Sequence, residues 1–297
     1  MHNEPEGLVL RWAYYNDPRY RRGLNEFARQ VFGGLDFAPW NRLGYEFPEY
    51  TPFSFLDGDR VVANVSASLM NLTVAGRKIT AIQIGTVASL PEFRGRGLIR
   101  SLMNKAHAHW DEPRRTFFLF ANETSADFYQ QFGYRRIHEH EFSAKAPSFV
   151  PPAVPARKLD LQNTRDRELL RRLADNRAPV SKRLGVHRQS WLLMFHAAAA
   201  YPDRLLYIEP LDIALISVIS GNTLRLVDVI GERIPPLEQI YPYIGSPHIE
   251  TVRFMFTPDL MQTAGLLIDP DPESLLLVRG PFPIGTEPFR FPQTSQA

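Results

Sequence analysis

Apolar positions along this chain fall into two kinds of run. Short continuous or alternating stretches predict strands over residues 8–14, 53–56, 60–70, 72–75, 79–90, 116–121 and 134–142. Longer amphipathic stretches predict helices over residues 21–32, 97–111 and 125–132. Turn signals stand at Asp57-Gly58-Asp59 and Gly76-Arg77. An antiparallel meander thus leads into β-α-β-α-β. The expected class is α/β (α+β), a mixed, mostly antiparallel sheet flanked by helices.

The second half repeats the plan more faintly. Helices are predicted at 165–176, 188–200 and 236–243, with a helical turn at 259–263. Strands are predicted at 205–208, 213–220, 223–230, 250–256, 266–268 and 275–278. The order matches the first half from its helices onward, which implies a structural duplication. Between the halves, residues 146–155 contain four prolines and predict an extended connector. We therefore divide the chain into a first domain over 1–145, a linker over 146–158 and a second domain over 159–297.

Composition excludes several classes. Net charge is +2 and 22% of residues are charged, so nothing indicates a nucleic-acid partner. No apolar run reaches the length of a membrane span, and the polar, acidic start is unlike a secretory signal, so a cytoplasmic protein without a membrane partner is expected. The absence of cysteine removes disulfides, thiol nucleophiles and cysteine metal sites. No metal is expected; His138 and His140, two apart on a predicted strand, lack a third ligand nearby. Homo-oligomerisation stays open.

The candidate chemistry lies at Arg94-Gly95-Arg96-Gly97, between the run 79–90 and the helix that follows. A strand, a basic glycine turn and a helix in that order make an anion site. The first helical N–H groups have no partner inside the helix, and the macrodipole adds partial positive charge there. Glycine lets the backbone approach a pyrophosphate closely, and arginine adds charge. The equivalent turn in the second half, Gly231-Glu232-Arg233-Ile234-Pro235-Pro236, holds two prolines and an acid. It cannot cradle a pyrophosphate in the same way.

Two segments carry a resemblance. Residues 89–99 (Ser-Leu-Pro-Glu-Phe-Arg-Gly-Arg-Gly-Leu-Ile) resemble the R/Q-x-x-G-x-G/A loop of the GNAT superfamily of acetyl-CoA-dependent N-acetyltransferases, with Ile99 departing at the last position. Residues 122–134 resemble that family's N-x-x-A-x-x-x-Y-x-x-x-G-F segment, matching at Asn122, Tyr129 and Gly133, with Ser125 and Tyr134 as replacements. A full unit followed by a degenerate GNAT-like copy resembles the enhanced-intracellular-survival type, without that group's third domain.

The resemblance implies a GNAT-like fold and transfer of acetyl from acetyl-CoA to a primary amine by direct attack in a ternary complex. It implies coenzyme contacts from the backbone of Val87, Ala88 and Ser89, from Arg94, Gly95, Arg96, Gly97 and Leu98, and from Asn122, which could equally cap the next helix. Ser89 would polarise the thioester carbonyl through its amide. Tyr129 would be the acid for the departing thiolate, since a phenol's pKa of ~10 is close to that of an alkyl thiol; its other reading is a core aromatic. No base is visible on residues 79–90. Glu46, Glu49, Glu123, a water chain and the carboxylate of Ala297 are candidates. The aromatic loop 37–50 could line an amine pocket or form a hydrophobic plug. Residues 191–195 read as helix core. A non-catalytic acyl-CoA sensor or interaction module, and transfer of a longer acyl chain, are the alternatives.

Overall fold

The computed structural model describes residues 7–44, 49–110, 112–188 and 190–297. In chain order the elements are β1 (Val9–Trp12), α1 (Pro18–Val31), α2 (Ala38–Arg42), β2 (Tyr50–Asp57), β3 (Arg60–Val74), β4 (Arg77–Ser89), α3 (Leu98–His109), β5 (Thr116–Phe120), α4 (Ala126–Gln130), β6 (Arg135–Ile137) and β7 (His140–Lys145). Then follow β8 (Arg157–Lys158), α5 (Thr164–Asp175), β9 (Leu184–Val186), α6 (Ser190–Ala199), β10 (Leu205–Ile208), β11 (Ile213–Ser220), β12 (Thr223–Ile230), α7 (Leu237–Ile244), β13 (Thr251–Phe254), β14 (Leu267–Pro270) and β15 (Leu276–Arg279).

Among the described residues these strands form two sheets. The first runs β1-β2-β3-β4-β5-β15-β6, with β9 also paired to β3; the second runs β14-β7-β13-β12-β11-β10-β8. Each sheet is mostly antiparallel. Each has one parallel pair, β4 with β5 and β12 with β13, joined through a crossover helix.

The sheets do not separate at the proline-rich segment. The stretch read as one strand over 134–142 is two strands in different sheets. It breaks around His138 and Glu139, and β7 leaves for the second sheet. In return β15 enters the first sheet between β5 and β6, burying Leu276, Leu277 and Val278. The physical reason is edge pairing: β5 and β6 lack each other, and a late apolar strand fills the gap. His138 and His140 therefore do not share a strand, and no group of three metal-ligating side chains exists among the described residues.

Other differences are local. Asp17 caps α1 and Pro18 sits in its first turn, so the helix starts earlier than the apolar pattern indicates. Strand β3 runs unbroken to Val74, and a two-residue turn, Ala75-Gly76, joins it to β4 with both residues at positive φ. That turn is docked on the second half: the N–H groups of Ala75 and Gly76 donate to the carbonyls of Arg183 and Lys182 at 2.8 and 2.9 Å. Phe37, Trp40 and Tyr50 are buried against Trp191 and Phe195 of α6, so this part of the aromatic loop is a plug between the halves. Tyr45, Glu46 and Phe47 lie outside the described residues. No helix among the described residues is long and apolar enough to cross a membrane.

Candidate active site

Strand β4 pairs with β5 only from Ala81 to Gln83, yet continues to Ser89. Beyond Gln83 the two parallel strands part. β4 changes there from buried to half-buried, and Val87, Ala88 and Ser89 lie on the opened stretch. A bulge accompanies the opening: Asn64 faces Ala88 and Ser66 faces Gly85, which leaves one extra residue on β4. Thr86 sits in this bulge at φ 50°, an unusual conformation for a β-branched side chain.

A buried polar chain holds Thr86 in place. Asn64 Nδ2 donates to the Thr86 carbonyl at 2.8 Å and to Ser66 Oγ at 2.9 Å. Ser66 Oγ donates to Tyr50 Oη at 2.7 Å, and Ser54 Oγ donates to Asn64 Oδ1 at 2.7 Å. Burial raises the Tyr50 phenol well above its ordinary range. A neutral network of this kind stays intact across physiological pH and fixes the backbone that follows.

After β4 a single 3₁₀ turn, Pro91–Phe93, leads to Gly95 at φ 74° and Gly97 at φ 75°. Gly97 begins α3 with no side-chain cap. The first-turn N–H groups of α3 are thus left for an external acceptor. They open on a cleft of about 410 Å³ lined by Ser89, Phe93, residues 94–100 and Phe128.

The two loop arginines differ. Arg96 donates to the Glu92 carbonyl at 3.0 Å and lies over the Phe93 ring at 4.8 Å, so it staples the turn. Arg94 is exposed, and its side chain makes no hydrogen bond or ion pair among the described residues. Sequence reasoning missed Phe93, Ile99, Arg100 and Phe128 as lining residues. The signal for Arg100 was available, since it lies in the first turn of α3, beside the loop.

Six predicted residues therefore share the cleft: Ser89, Arg94, Gly95, Arg96, Gly97 and Leu98. Val87 and Ala88 adjoin it on β4. Asn122 and Tyr129 do not line it. Asn122 caps the turn after β5, its Oδ1 accepting from Ser125 N at 3.0 Å within a capping box. Tyr129 is buried against Phe128 and Tyr134, and burial pushes its phenol up to about 12. Its neighbour Phe128 forms the cleft wall instead. Glu123 faces Arg136 at the surface, 3.8 Å away, and Glu49 is half-buried.

The last residues occupy the far side of the opening. Phe291 packs on Phe118 and Phe120 of β5, with ring centroids 5.1 and 5.2 Å apart. The main chain of Ala297 lies about 3.3 Å from where a Cβ on Gly85 would stand. Beside this tail, Glu139, Glu141, Asp271 and Glu273 border a recess of about 280 Å³ with Phe120, Arg290 and Gln296.

The equivalent turn of the second half is closed: Leu237 N, the first N–H of α7, donates to the Met261 carbonyl at 3.0 Å, and a Cβ on Gly231 would stand 2.8 Å from Ile213 Cγ2.

Residues 26–137 match the acetyltransferase (GNAT) domain family. No curated protein matches the chain in sequence. Among solved structures, the chain is similar to a probable N-acyltransferase of Enterococcus faecalis (17% identity, TM-score 0.61, 92% of this chain and 72% of that one). It is similar to Eis1 from Mycobacterium abscessus (17%, 0.57, 92% and 73%) and to a GCN5-related N-acetyltransferase from Kribbella flavida (18%, 0.52, 94% and 72%). At these identities the likeness is one of fold. It extends over both sheets, as expected for a GNAT unit followed by a GNAT-like copy. Residues 26–137 thus match a GNAT acetyltransferase domain, and the fold of the whole chain is similar to that of these structures.

Proposed function

We propose that this protein is an N-acetyltransferase that moves acetyl from acetyl-CoA to a primary amine by direct attack in a ternary complex. The observation that carries the reading is the opening of β4 from β5 beside the uncapped N-terminus of α3. The pyrophosphate of the coenzyme would lie on the amides of residues 95–98, with Arg94 as the free cation. The pantetheine arm would pair with the main chain of Val87, Ala88 and Ser89 in place of the missing strand. The Ser89 amide would face the thioester carbonyl, where negative charge grows as the amine attacks.

Tyr129 is the proposed acid. With its phenol held near 12 by burial, it stays protonated at neutral pH and is a hydrogen-bond donor to the departing thiolate. The C–S bond breaks as the new C–N bond forms, and the amine's surplus proton leaves to a base. β4 itself carries no carboxylate.

A second reading, a non-catalytic acyl-CoA binder, is favoured by one observation: Tyr129 lies behind the cleft wall. Thiol release from acetyl-CoA across a panel of amines separates the two. Under the first reading, thiol appears only with an amine present. Tyr129→Phe then lowers kcat far more than it weakens coenzyme binding. Coenzyme binding without thiol release from any amine leaves the binder.

A further inference from the structure

The second sheet repeats the opening of the first. β12 pairs with β13 in parallel only from Thr223 to Leu226, yet runs to Ile230. It also carries a bulge, since Ile216 faces Asp228 while Ser217 faces Leu226. The closed turn at Gly231 leaves this second opening without a phosphate cradle. It is filled from within the chain.

Arg177 enters it and pairs with Asp228 through both guanidinium nitrogens, at 3.0 and 2.5 Å, with both residues buried. The tail arrives on the same carboxylate. Thr294 Oγ1 donates to Asp228 Oδ2, and Gln293 N donates to the Met255 carbonyl at 3.1 Å. Two residues later, His196 of α6 meets the Gln296 carbonyl at 2.7 Å. A carbonyl can only accept, so His196 Nε2 carries the proton. The tail then crosses to the first opening and stops against Gly85.

We propose that Asp228 and His196 are positioning residues for acyl transfer, acting through the tail. The second opening has become a socket. It grips residues 293–296 so that the tail forms a fixed wall of the opening between β4 and β5. This rests on the acetyltransferase reading above. It gives the second half a role in the reaction without any residue of its sheet touching the coenzyme. Gly85 stands two residues before Val87, about 7 Å along the strand, so a shift of the tail is felt where the thioester is held.

Asp228 itself is a poor target, because its removal leaves the Arg177 charge buried with only the Val229 carbonyl to meet it. The test uses the full chain with Thr294→Val, His196→Ala and His196→Gln. Hydrogen exchange, calorimetry with coenzyme A and steady-state kinetics are measured on each. In Thr294→Val and His196→Ala, exchange over 291–297 rises while that over 223–230 does not. Their kcat/KM for the amine falls about tenfold or more, as a displacement of about an ångström can cause. Coenzyme affinity stays within about twofold. His196→Gln, whose amide can donate to the same carbonyl, recovers most of the activity.

Unchanged exchange would show that these contacts do not hold the tail. A looser tail with unchanged amine kinetics would make it a structural strap only. Parallel loss of coenzyme affinity and kcat would point to general loosening. Each overturns the proposal. Failure of the unaltered protein to release thiol with any amine would overturn acetyl transfer itself, and shows before any variant is made.

Discussion

Gln83 is the last residue of β4 to face β5, and its side chain grips the main chain of Ala297. With the amide oriented to satisfy both neighbours, it accepts from Ala297 N at 2.9 Å and donates to the Ser295 carbonyl at 3.3 Å. The Gln83 side chain thus ties the tail to β4 at the point where β5 parts from it. Gln83→Leu keeps the volume but leaves the Ser295 carbonyl without this donor. The expected loss of stability is about 1–2 kcal/mol by denaturant titration. A neutral result would show that the tail is not held from the β4 side.

Arg94 and Arg96 are two residues apart and are expected to respond differently to substitution. Arg94 is free to meet an anion, whereas Arg96 is tied to the Glu92 carbonyl and the Phe93 ring. A charge-assisted contact contributes about 1.5–3 kcal/mol, so Arg94→Ala is expected to weaken coenzyme A binding roughly tenfold to a hundredfold. Arg96→Ala acts only by loosening the turn and costs a few-fold. Calorimetry at low and high salt checks this: the salt dependence should flatten in Arg94→Ala and persist in Arg96→Ala. Equal losses would mean that the staple opens to bind the ligand.

Much of this was legible because it is local. The loop 94–97 and α3 follow from glycine, charge and helix periodicity, and the structure gathers residues 94–98 on one cleft. The capping reading of Asn122 follows from its spacing to Ser125, and residues 191–194 are buried as helix core. What depends on distant partners was not legible. Nothing near 276–279 states that it pairs with β5 and β6, and nothing near 294 points to Asp228. The opening after Gln83 depends on where β5 ends its pairing, which β4's own apolar pattern does not encode. Tyr129 fits a sequence register, yet burial behind Phe128 is a property of the packed cleft wall.

The exchange of strands between the sheets predicts that the halves do not fold separately. A fragment of residues 1–155 keeps β5 and β6 but loses β15 between them. It forfeits the burial of Leu276, Leu277 and Val278, each worth about 1.5–3 kcal/mol, and exposes two strand edges. Expressed alone, it should aggregate or show no cooperative thermal transition. Co-expression with residues 156–297 should restore a soluble complex. A fragment that unfolds cooperatively by itself would refute the strand exchange.

His107 gives the fold a defined acid sensitivity. Its ring is buried against Phe117, and Nε2 meets the Tyr134 hydroxyl at 3.0 Å. Burial, assisted by the charge of Arg279, pushes its pKa down to about 4 from an ordinary 6.5. Below 6.5 the unfolded chain takes up a proton that the native state refuses, so the native state loses ground as pH falls. The contribution is complete above about pH 6.5 and declines toward pH 4, by roughly 3 kcal/mol in total. His107→Phe removes the titration but leaves the Tyr134 hydroxyl without its partner, at a cost of about 1 kcal/mol at pH 7. Denaturation of both proteins from pH 7.5 to 4 should therefore show the unaltered protein more stable at neutral pH. Its advantage should shrink and reverse on acidification. A difference that stays constant with pH would mean that His107 protonates as readily in the fold as outside it.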